Sequence, residues 1–363
     1  MRTADPSPLS PHQLRPRTLL IAVVAAVTLL LTACEPGRGS WSGATAMAEY
    51  HYAHRAILLD DGRVLVAGGP QQQVAELFDP ATDTWTDSGT MKAERFFHTA
   101  TKLKDGRVLV VGGRNSLNNS VLSAEIYNPA SGLWTGTKGM HVRRASHTAT
   151  RLEDGKVLVI GGRNNNGPVA SAELYDPVAR TWTLLSNMNH PRAGHGARLL
   201  EDGRVLVVGE DSAQVFDPAT RRWRATGPMR SVHASAEVVR LADGRVLLAG
   251  GYDELGAPNS ATEIYDPATN AWTLSDRLGT GRGEFALTRL DDGRVLATGG
   301  EGAGRTAEAF DAATEKWFEL EDMAAPRLNQ SGTLLDDGRV LVAGGFDEDF
   351  FDYTNTAEIF DPR

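Results

Sequence analysis

Residues 151–162 read Arg-Leu-Glu-Asp-Gly-Lys-Val-Leu-Val-Ile-Gly-Gly, and segments built on this pattern occur seven times along the chain. The other six copies have arginine in place of the lysine, as in Asp61 to Leu65. Successive Asp-Gly glycines are separated by 44, 49, 48, 41, 49 and 45 residues. A period of about 40 to 50 residues indicates that one supersecondary unit is repeated and that neighbouring copies share a core.

Each copy predicts a group of short β-strands. Its runs of four to eight residues are rich in Val, Leu, Thr and aromatic residues and are bounded by Gly, Pro, Asn and Asp. The Asp-Gly pair predicts a tight hairpin in which both central residues tolerate a positive φ. Asp-Pro-Ala-Thr, as at residues 217–220, predicts a second turn, because proline presets φ and aspartate caps its own backbone. Each copy is therefore predicted to be a meander of four strands, a to d.

The frame around the Asp-Gly pair is repeated as well. A Gly-Gly doublet follows it, then Ala-Glu-x-aromatic-Asp-Pro, as in Ala172 to Pro177, and then a tryptophan. Four-stranded units repeated at this period predict a β-propeller. The doublet, the aromatic residue and the tryptophan resemble the repeats of the kelch family over residues 41–363. The resemblance implies an all-β fold, a seven-bladed kelch-type β-propeller with four-stranded antiparallel blades.

The tryptophans predict how the ring closes. Six of the seven follow an Asp-Pro or equivalent segment, but the last such segment, Phe360 to Pro362, is followed only by the end of the sequence. Trp41 stands alone near the start of the repeats, with Met47 after it as in the other copies. We therefore expect Trp41 to lie in strand d of the last blade. This N-terminal strand would pair an edge that is otherwise open.

Residues 1–33 have the features of an export signal. Arg15 and Arg17 precede an apolar run of 13 residues, Leu19 to Leu31. The run is short for a membrane-spanning helix, which needs about 20 residues, and it suits a secretory signal peptide. Its end, Leu-Thr-Ala-Cys, resembles a bacterial lipobox, which implies that Cys34 is lipidated and begins the mature protein.

The predicted organisation therefore has three parts. Residues 1–33 form a lipoprotein signal peptide, residues 34–40 contain the lipidated cysteine and a short linker, and residues 41–363 form the propeller. Cys34 is the only cysteine in the chain, which fits an exported protein without disulfides. We expect an exported bacterial lipoprotein of the cell envelope, periplasmic or surface-exposed, that is anchored to a lipid membrane through Cys34.

The charge limits the class of partner. Residues 1–33 contain three arginines and one aspartate, so the rest of the chain has 34 Lys and Arg against 45 Asp and Glu, a net charge of −11. Nucleic-acid binding needs a basic surface opposite the phosphates. We therefore expect no nucleic-acid partner, and we expect the propeller to be monomeric.

Residues that recur in most copies are expected to be scaffold. The glutamate of Ala-Glu occurs six times, and the fourth copy has Gln214 in its place. A catalytic carboxylate has no reason to recur around a ring, so we interpret these glutamates as structural partners of basic residues. Four histidines on strand a have the same interpretation, because ligands from separate blades lie too far apart for zinc bonds of about 2.0–2.1 Å. These are His54, His98, His147 and His195. We expect no metal site and no cofactor.

A recurring arginine before strand a is the first candidate for ligand binding. The planar donor fork of arginine suits carboxylates and phosphates. The same residue type at the same repeat position also fits a repeated structural salt bridge, and both interpretations remain open. The arginine occurs in five copies, as Arg95, Arg144, Arg192, Arg282 and Arg327.

The loops between strands b and c are the second candidate. In an up-and-down blade the b–c and d–a connections share one face, and the tight a–b and c–d turns share the other. The b–c loops vary strongly in length, and variable loops on a rigid scaffold are where binding usually resides. The candidate contacts follow the Gly-Gly doublets and are Arg114, Asn115, Arg163, Asn164 and Tyr252.

Two of these loops suggest the chemistry of the partner. Gly-Gly-Arg-Asn, at residues 112–115 and 161–164, resembles the kelch adaptor domains that bind acidic peptides. The resemblance implies a partner with acidic groups at these positions, and the other copies depart from the motif. In the last blade an acidic loop from Asp347 to Asp352 lacks the pattern of an EF-hand. We interpret it as a solvated loop.

Some kelch propellers are enzymes, so enzymatic functions are considered as well. The copper oxidases that resemble galactose oxidase need a tyrosine cross-linked to a cysteine. The only cysteine of this chain, Cys34, lies outside the blades, so we do not expect this chemistry. A carbohydrate-active enzyme resembling the kelch sialic-acid mutarotases is the alternative, because Arg and Glu near the channel mouth suit a carboxylated sugar. No catalytic residue can be assigned. The predicted function is a membrane-anchored, exported binding or scaffold module that recognises a protein or glycan through its long b–c and d–a loops.

Overall fold

Strands and turns account for all of the regular structure. The computed structural model describes residues 37–70 and 72–363, and these residues contain no helix. In that part of the chain there is accordingly no helix of the length and apolarity that a membrane crossing requires. The predicted signal peptide and Cys34 lie outside the described residues. The strands form seven antiparallel sheets of four strands each, so the predicted seven-bladed propeller is confirmed.

Strands a and b form the inner half of each blade. Strand a is innermost, because the a strands of neighbouring blades contact one another all around the ring. From blade 1 to blade 7, strand a comprises Arg55–Leu58, Thr99–Lys102, Thr148–Arg151, Gly196–Leu199, Glu237–Arg240, Ala286–Arg289 and Ser331–Leu334. Strand b comprises Val64–Ala67, Val108–Val111, Val157–Ile160, Val205–Gly209, Val246–Ala249, Val295–Thr298 and Val340–Ala343. The b strands are continuous apolar runs because they are buried on both faces.

Strands c and d form the outer half. Strand c comprises Val74–Asp79, Ala124–Asn128, Ala172–Asp176, Ser212–Asp217, Thr262–Asp266, Ala307–Asp311 and Ala357–Asp361. Strand d comprises Thr84–Thr90, Leu133–Thr137, Thr181–Leu184, Arg222–Ala225, Ala271–Leu274, Lys316–Glu319 and, in blade 7, Ser40–Ala44. Two short ribbons lie in b–c loops, Arg163–Asn164 with Gly167–Pro168 in blade 3 and Phe346–Asp347 with Asp352–Tyr353 in blade 7.

The N-terminal strand closes the ring as predicted. Ser40–Ala44 pairs antiparallel with Ala357–Asp361, and Trp41 lies opposite Phe360. The two rings pack with their centroids 5.1 Å apart. The indole nitrogen of Trp41 donates a hydrogen bond to the carbonyl of Glu321 in blade 6 at 2.8 Å. Strand d of the last blade therefore comes from the opposite end of the chain.

The hydrophobic core is divided among the blade interfaces. Seven buried clusters each join residues of one blade to residues of the next. Between blades 1 and 2, for example, Leu65 and Leu77 pack with Val108 and Tyr127. No blade encloses a core of its own, which is the physical reason why the unit must be repeated.

The Asp-Gly hairpin differs in detail from the prediction. Gly62 has a φ of +82°, but Asp61 is not among the residues with a positive φ. Leu59 donates its amide hydrogen to the carbonyl of Arg63 at 2.8 Å, so the loop contains three residues, and only its glycine is left-handed. Asp61 accepts the amide hydrogen of Arg63 at 3.2 Å. The prediction that both central residues need a positive φ was therefore wrong, because the aspartate caps the turn from a negative φ.

Candidate functional site

The b–c loops and the d–a segments meet on one face of the propeller, which we call the loop face. In blades 2, 3, 5, 6 and 7 the residue after the Gly-Gly doublet pairs through its backbone with a residue that precedes strand a of the same blade. The pairs include Phe96 with Arg114, Ala145 with Arg163, Ala234 with Tyr252, Gly283 with Glu301 and Leu328 with Phe346. The Asp-Gly and Asp-Pro turns lie at the other ends of the strands. The loop face therefore carries the variable parts of the repeat.

The five arginines of the first candidate layer lie beneath this face and are buried, with exposed fractions of 0 to 4%. In blade 3, Nη1 of Arg144 donates to the carbonyl of Gly161 at 2.7 Å, and Nη2 donates to the carboxylate of Glu173 at 3.0 Å. The same ion pair, within one blade, recurs as Arg95 with Glu125, Arg282 with Glu308 and Arg327 with Glu358. Burial lowers the pKa of Arg144, and the opposing charge of Glu173 raises it.

Two blades replace this arginine by histidine, and one replaces the glutamate. His51 binds the carbonyl of Gly68 at 2.6 Å and the carboxylate of Glu76 at 3.0 Å, so histidine reproduces both contacts of arginine. His233 has the same position in blade 5. In blade 4, Arg192 donates to the carbonyl of Gly209 at 2.6 Å, but Gln214 stands in place of the carboxylate.

Each ion pair also fixes the segment before strand a and the neighbouring blade. Glu173 accepts the backbone amide hydrogens of His141 at 2.8 Å and Val142 at 3.0 Å. The carbonyl of Arg144 accepts the amide hydrogen of Gly113, in the preceding blade, at 2.9 Å. A Cβ on Gly112 would lie 2.5 Å from that carbonyl oxygen, so the approach of the two blades requires glycine. These contacts argue against ligand binding by the five arginines and favour the structural salt bridge.

The four recurring histidines lie immediately before strand a rather than on it as predicted, and three of them join neighbouring blades. His54, His147 and His195 hydrogen-bond to Ser331, Thr99 and Thr148 at 2.8, 2.9 and 2.9 Å. Each hydroxyl belongs to the first residue of strand a in the preceding blade. Burial lowers the pKa of His195 to about 3, so this ring is neutral near pH 7. The hydrogen bonds agree with the scaffold interpretation of these histidines.

At the other four blade interfaces this hydrogen bond is missing within the described residues. At two of them the first residue of strand a is a glycine or an alanine, which has no side-chain group that could form it. At the remaining two that residue is charged. It is Arg55 in blade 1, where the two ring nitrogens of the neighbouring His98 have no partner among the described residues, and Glu237 in blade 5, where blade 6 has Phe285 at the histidine position. Arg55 and Glu237 therefore stand where the scaffold contact is absent.

These two residues and Arg198 line a cavity at the loop-face end of the central channel. The cavity has a volume of about 320 Å³, and residues of all seven blades line it. Arg198 is the third residue of strand a in blade 4, where the other blades carry Ile, Thr or Val. We call Arg55, Arg198 and Glu237 the channel charges.

The channel charges face the channel, where Arg55 and Glu237 are exposed and Arg198 is half-buried. Within residues 37–70 and 72–363, Arg55 donates only to the carbonyl of His54, at 3.1 Å, and none of the three side chains forms an ion pair within 4.0 Å. Desolvation by the surrounding channel wall raises the pKa of Glu237, and the positive charges of Arg198 and Arg55 oppose this effect. The same desolvation lowers the pKa of both arginines.

The channel charges were not among the predicted site residues, because they occupy single positions beside the repeated motifs rather than within them. Their signal is nevertheless in the sequence. The position after the histidine carries Arg55, Thr99, Thr148, Gly196, Glu237, Ala286 and Ser331 in blades 1 to 7. Two of these seven residues are charged, whereas the other five copies carry uncharged residues at this position.

A ring of strained residues forms the rim of this cavity. Phe97, Ser146, Ser235, Glu284 and Asn329 have equivalent positions just before strand a, and their φ values lie between +50° and +54°. Backbone hydrogen bonds connect neighbours around the ring, as from the amide of Ser146 to the carbonyl of Phe97 at 2.9 Å. Non-glycine residues in this conformation are uncommon and are often found at ligand sites. The rim therefore presents different side chains on a fixed backbone.

An aromatic surface borders the rim on the loop face. It consists of Tyr50, Tyr52, Phe96, Phe97, Phe346 and Tyr353. Tyr353 packs on Tyr52 at a centroid distance of 5.1 Å and is 39% exposed. The hydroxyl of Tyr52 accepts a hydrogen bond from the side-chain amide of Asn329 at 3.1 Å. None of these aromatic residues was among the predicted site residues.

The structure brings together two of the five predicted loop residues, Arg114 in blade 2 and Arg163 in blade 3, and burial together with the charge of Arg163 lowers the pKa of Arg114. Asn115 and Asn164 accept backbone amide hydrogens within their own loops. Arg114 donates to the side chain of Asn118 at 2.5 Å. Tyr252 lies on blade 5, where its hydroxyl donates to the carboxylate of Glu301 at 2.6 Å. We call Arg114 and Arg163 the arginine pair.

The acidic loop of blade 7 is held partly by its own backbone. Asp347 is buried and accepts the amide hydrogens of Asp349 at 2.9 Å and Phe350 at 3.2 Å. Asp349 forms an ion pair with Arg305 at 3.0 Å. In the described part of the chain, no group of three or more His, Cys, Asp or Glu residues has an arrangement that could hold a metal ion.

Comparisons with known proteins agree with this fold. The model of the Kelch motif family matches residues 104–140, 143–189 and 239–275. No curated protein has a matching sequence. A solved structure described as a novel fungal alcohol oxidase with catalytic diversity among the AA5 family, in complex with copper, superposes with a TM-score of 0.74 at 19% identity. The match covers 89% of this chain and 76% of that one, and at this identity it shows a shared fold only.

The scaffold role of the arginine layer can be tested by paired substitutions. Arg144→Ala leaves Glu173 buried without its partner, so we expect the free energy of unfolding to fall by about 3–5 kcal/mol. The control is Arg114→Ala on the loop face, for which we expect a change within about 0.5 kcal/mol. Urea unfolding followed by tryptophan fluorescence measures both. Equal stability of the two variants would contradict the assignment.

Proposed function

This chain is a kelch-repeat β-propeller, and we propose that it is a binding module whose loop face takes a protein partner. The observation that carries the proposal is the aromatic surface next to the arginine pair. Phe96 of the aromatic surface pairs through its backbone with Arg114 of the arginine pair. Tyrosine, phenylalanine and arginine are enriched in protein interfaces, and clusters of this kind contribute most of the binding energy.

The charge distribution around the aromatic surface favours a protein over a uniformly charged polymer. The arginine pair lies on one side, in blades 2 and 3. Acidic residues, including Glu301, Glu348 and Asp349, lie on the other side, in blades 6 and 7. The arginine pair would bind acidic groups of the partner, and the aromatic and acidic parts would bind apolar and basic groups.

Export and membrane attachment complete the proposal. A lipid on Cys34 would leave only six residues between the lipidated cysteine and Trp41, so the propeller would work close to the membrane. A partner would then be another component of the cell envelope. This part of the proposal rests on the sequence of residues 1–34.

Partner capture tests the loop face. We expect cross-linking of the full-length chain in cells, followed by affinity capture and mass spectrometry, to enrich one envelope protein. Arg114→Ala combined with Arg163→Ala, and separately Tyr353→Ala, should lower that enrichment at least about tenfold without changing stability. Leu274→Ala, at an exposed position of strand d in blade 5, is the control and should capture normally.

Two results would contradict this proposal. Undiminished capture by both loop-face variants would place the partner elsewhere on the molecule. If the loop face instead binds a purified oligosaccharide, and the variants capture the same proteins as the wild-type chain, the partner is a glycan rather than a protein.

Membrane attachment is tested by Cys34→Ser. Without the thiol no lipid can be attached, so we expect the variant to lose labelling by an alkyne-bearing fatty acid. We also expect it to leave the membrane fraction. A variant that stays in the membrane fraction after a high-salt wash would show that the anchor is another segment.

A further inference from the structure

The channel charges have no role in the loop-face binding proposed above. They lie inside the channel, whereas the arginine pair and the exposed part of the aromatic surface lie on the loops. They also have no role in the scaffold, because the other blades carry uncharged residues at the equivalent positions of strand a. Their function must therefore be sought in the cavity that they line.

Charges that converge in a narrow channel without forming ion pairs are unfavourable for a folded protein. Partial removal of a charged group from bulk water costs free energy unless another charge or a hydrogen bond replaces the water. Here two guanidinium groups and two carboxylates, those of Glu237 and Glu284, line a cavity of about 320 Å³, and none of them forms an ion pair with any described residue. Natural proteins commonly retain such destabilising arrangements at binding sites, where the ligand supplies the missing partner.

The size and lining of the cavity define the class of ligand. Its volume lies at the lower end of the range for small-molecule sites, about 300–1,000 Å³. The lining is hydrophilic and includes the hydroxyl groups of Ser146 and Ser235 on the rim. An apolar ligand would leave these groups and the charges without partners. A small hydrophilic ligand with a carboxylate for the two arginines and hydrogen-bond donors for the carboxylates of Glu237 and Glu284 would satisfy them.

We propose that the channel is a second binding site, which takes a small carboxylate bearing hydroxyl or ammonium donors. Arg55 and Arg198 bind the carboxylate, since a guanidinium presents parallel donors that match its two oxygens. Glu237 accepts hydrogen bonds from the donors of the ligand. The hydroxyl groups of Ser146 and Ser235 on the rim contact its outer end. The ligand enters from the loop face.

Hydroxy acids and amino acids share this chemistry, and two probes distinguish them. D-Glucuronate offers a carboxylate with hydroxyl donors, and L-glutamate offers carboxylates with an ammonium donor. D-Glucose, with sodium chloride added to equal ionic strength, is the uncharged match for glucuronate. Binding to the full-length chain is measured by calorimetry and by the unfolding temperature.

We expect one of the two carboxylates to bind with a stoichiometry of one and to raise the unfolding temperature by about 5 °C at saturation. Arg198→Gln should weaken this binding at least about tenfold, because it removes a charged hydrogen-bond donor. Arg151→Gln is the matched control on strand a of blade 3, outside the cavity, and should bind normally. The proposal is overturned if neither carboxylate binds at roughly 50 mM, which is about 50-fold a typical metabolite concentration of about 1 mM.

The stability of the ligand-free variants separates a binding role from a structural one. If the channel charges serve a ligand, Arg198→Gln and Glu237→Gln should leave the unfolding temperature unchanged or raise it. A clear fall in both variants would show that the charges stabilise the fold and would overturn the proposal. The loop-face variants Arg114→Ala and Tyr353→Ala should keep normal carboxylate binding, so failure of this proposal is distinguishable from failure of the protein-binding proposal.

Discussion

The propeller depends on a buried basic side chain that is repeated around the ring. In most blades an arginine joins three elements: the first glycine of Gly-Gly, the glutamate of strand c and, through its own carbonyl, the preceding blade. The glutamate in turn holds the segment that leads into strand a. A buried charge is tolerated here because every one of these contacts is made. The same contacts explain why the Gly-Gly and Ala-Glu motifs recur together.

This interaction also explains the separation of scaffold and site. Because the arginine layer fixes the rim from below, the loops above it can vary without loss of the fold. Blade 2 carries an arginine after the doublet, blade 5 a tyrosine and blade 7 a phenylalanine, all on the same backbone geometry. Side chains that differ among the blades are therefore free to serve binding, as the aromatic surface and the channel charges illustrate.

The repeat motifs were sufficient to predict the fold because they report local geometry. Trp41 indicated the ring closure because, unlike the other six tryptophans, it does not follow an Asp-Pro or equivalent segment, and its pairing with Phe360 confirms this closure. The prediction for Asp61 was wrong, because a dipeptide does not distinguish a two-residue hairpin from a three-residue one. The arginine layer remained ambiguous, since burial depends on how neighbouring blades pack. The aromatic surface joins Tyr52 to Tyr353, 301 positions away in the sequence, and no local pattern predicts that contact.

Blade 4 offers the most direct measurement of the central claim, that the arginine–glutamate pair is scaffold. Arg192 is buried there beside Gln214 rather than a glutamate. Gln214→Glu restores the carboxylate next to a charge that is already desolvated, so the account predicts a higher free energy of unfolding, by about 1–3 kcal/mol. The measurement is urea unfolding at pH 7 of the wild-type chain and this variant. A lower free energy of unfolding in Gln214→Glu would contradict the account.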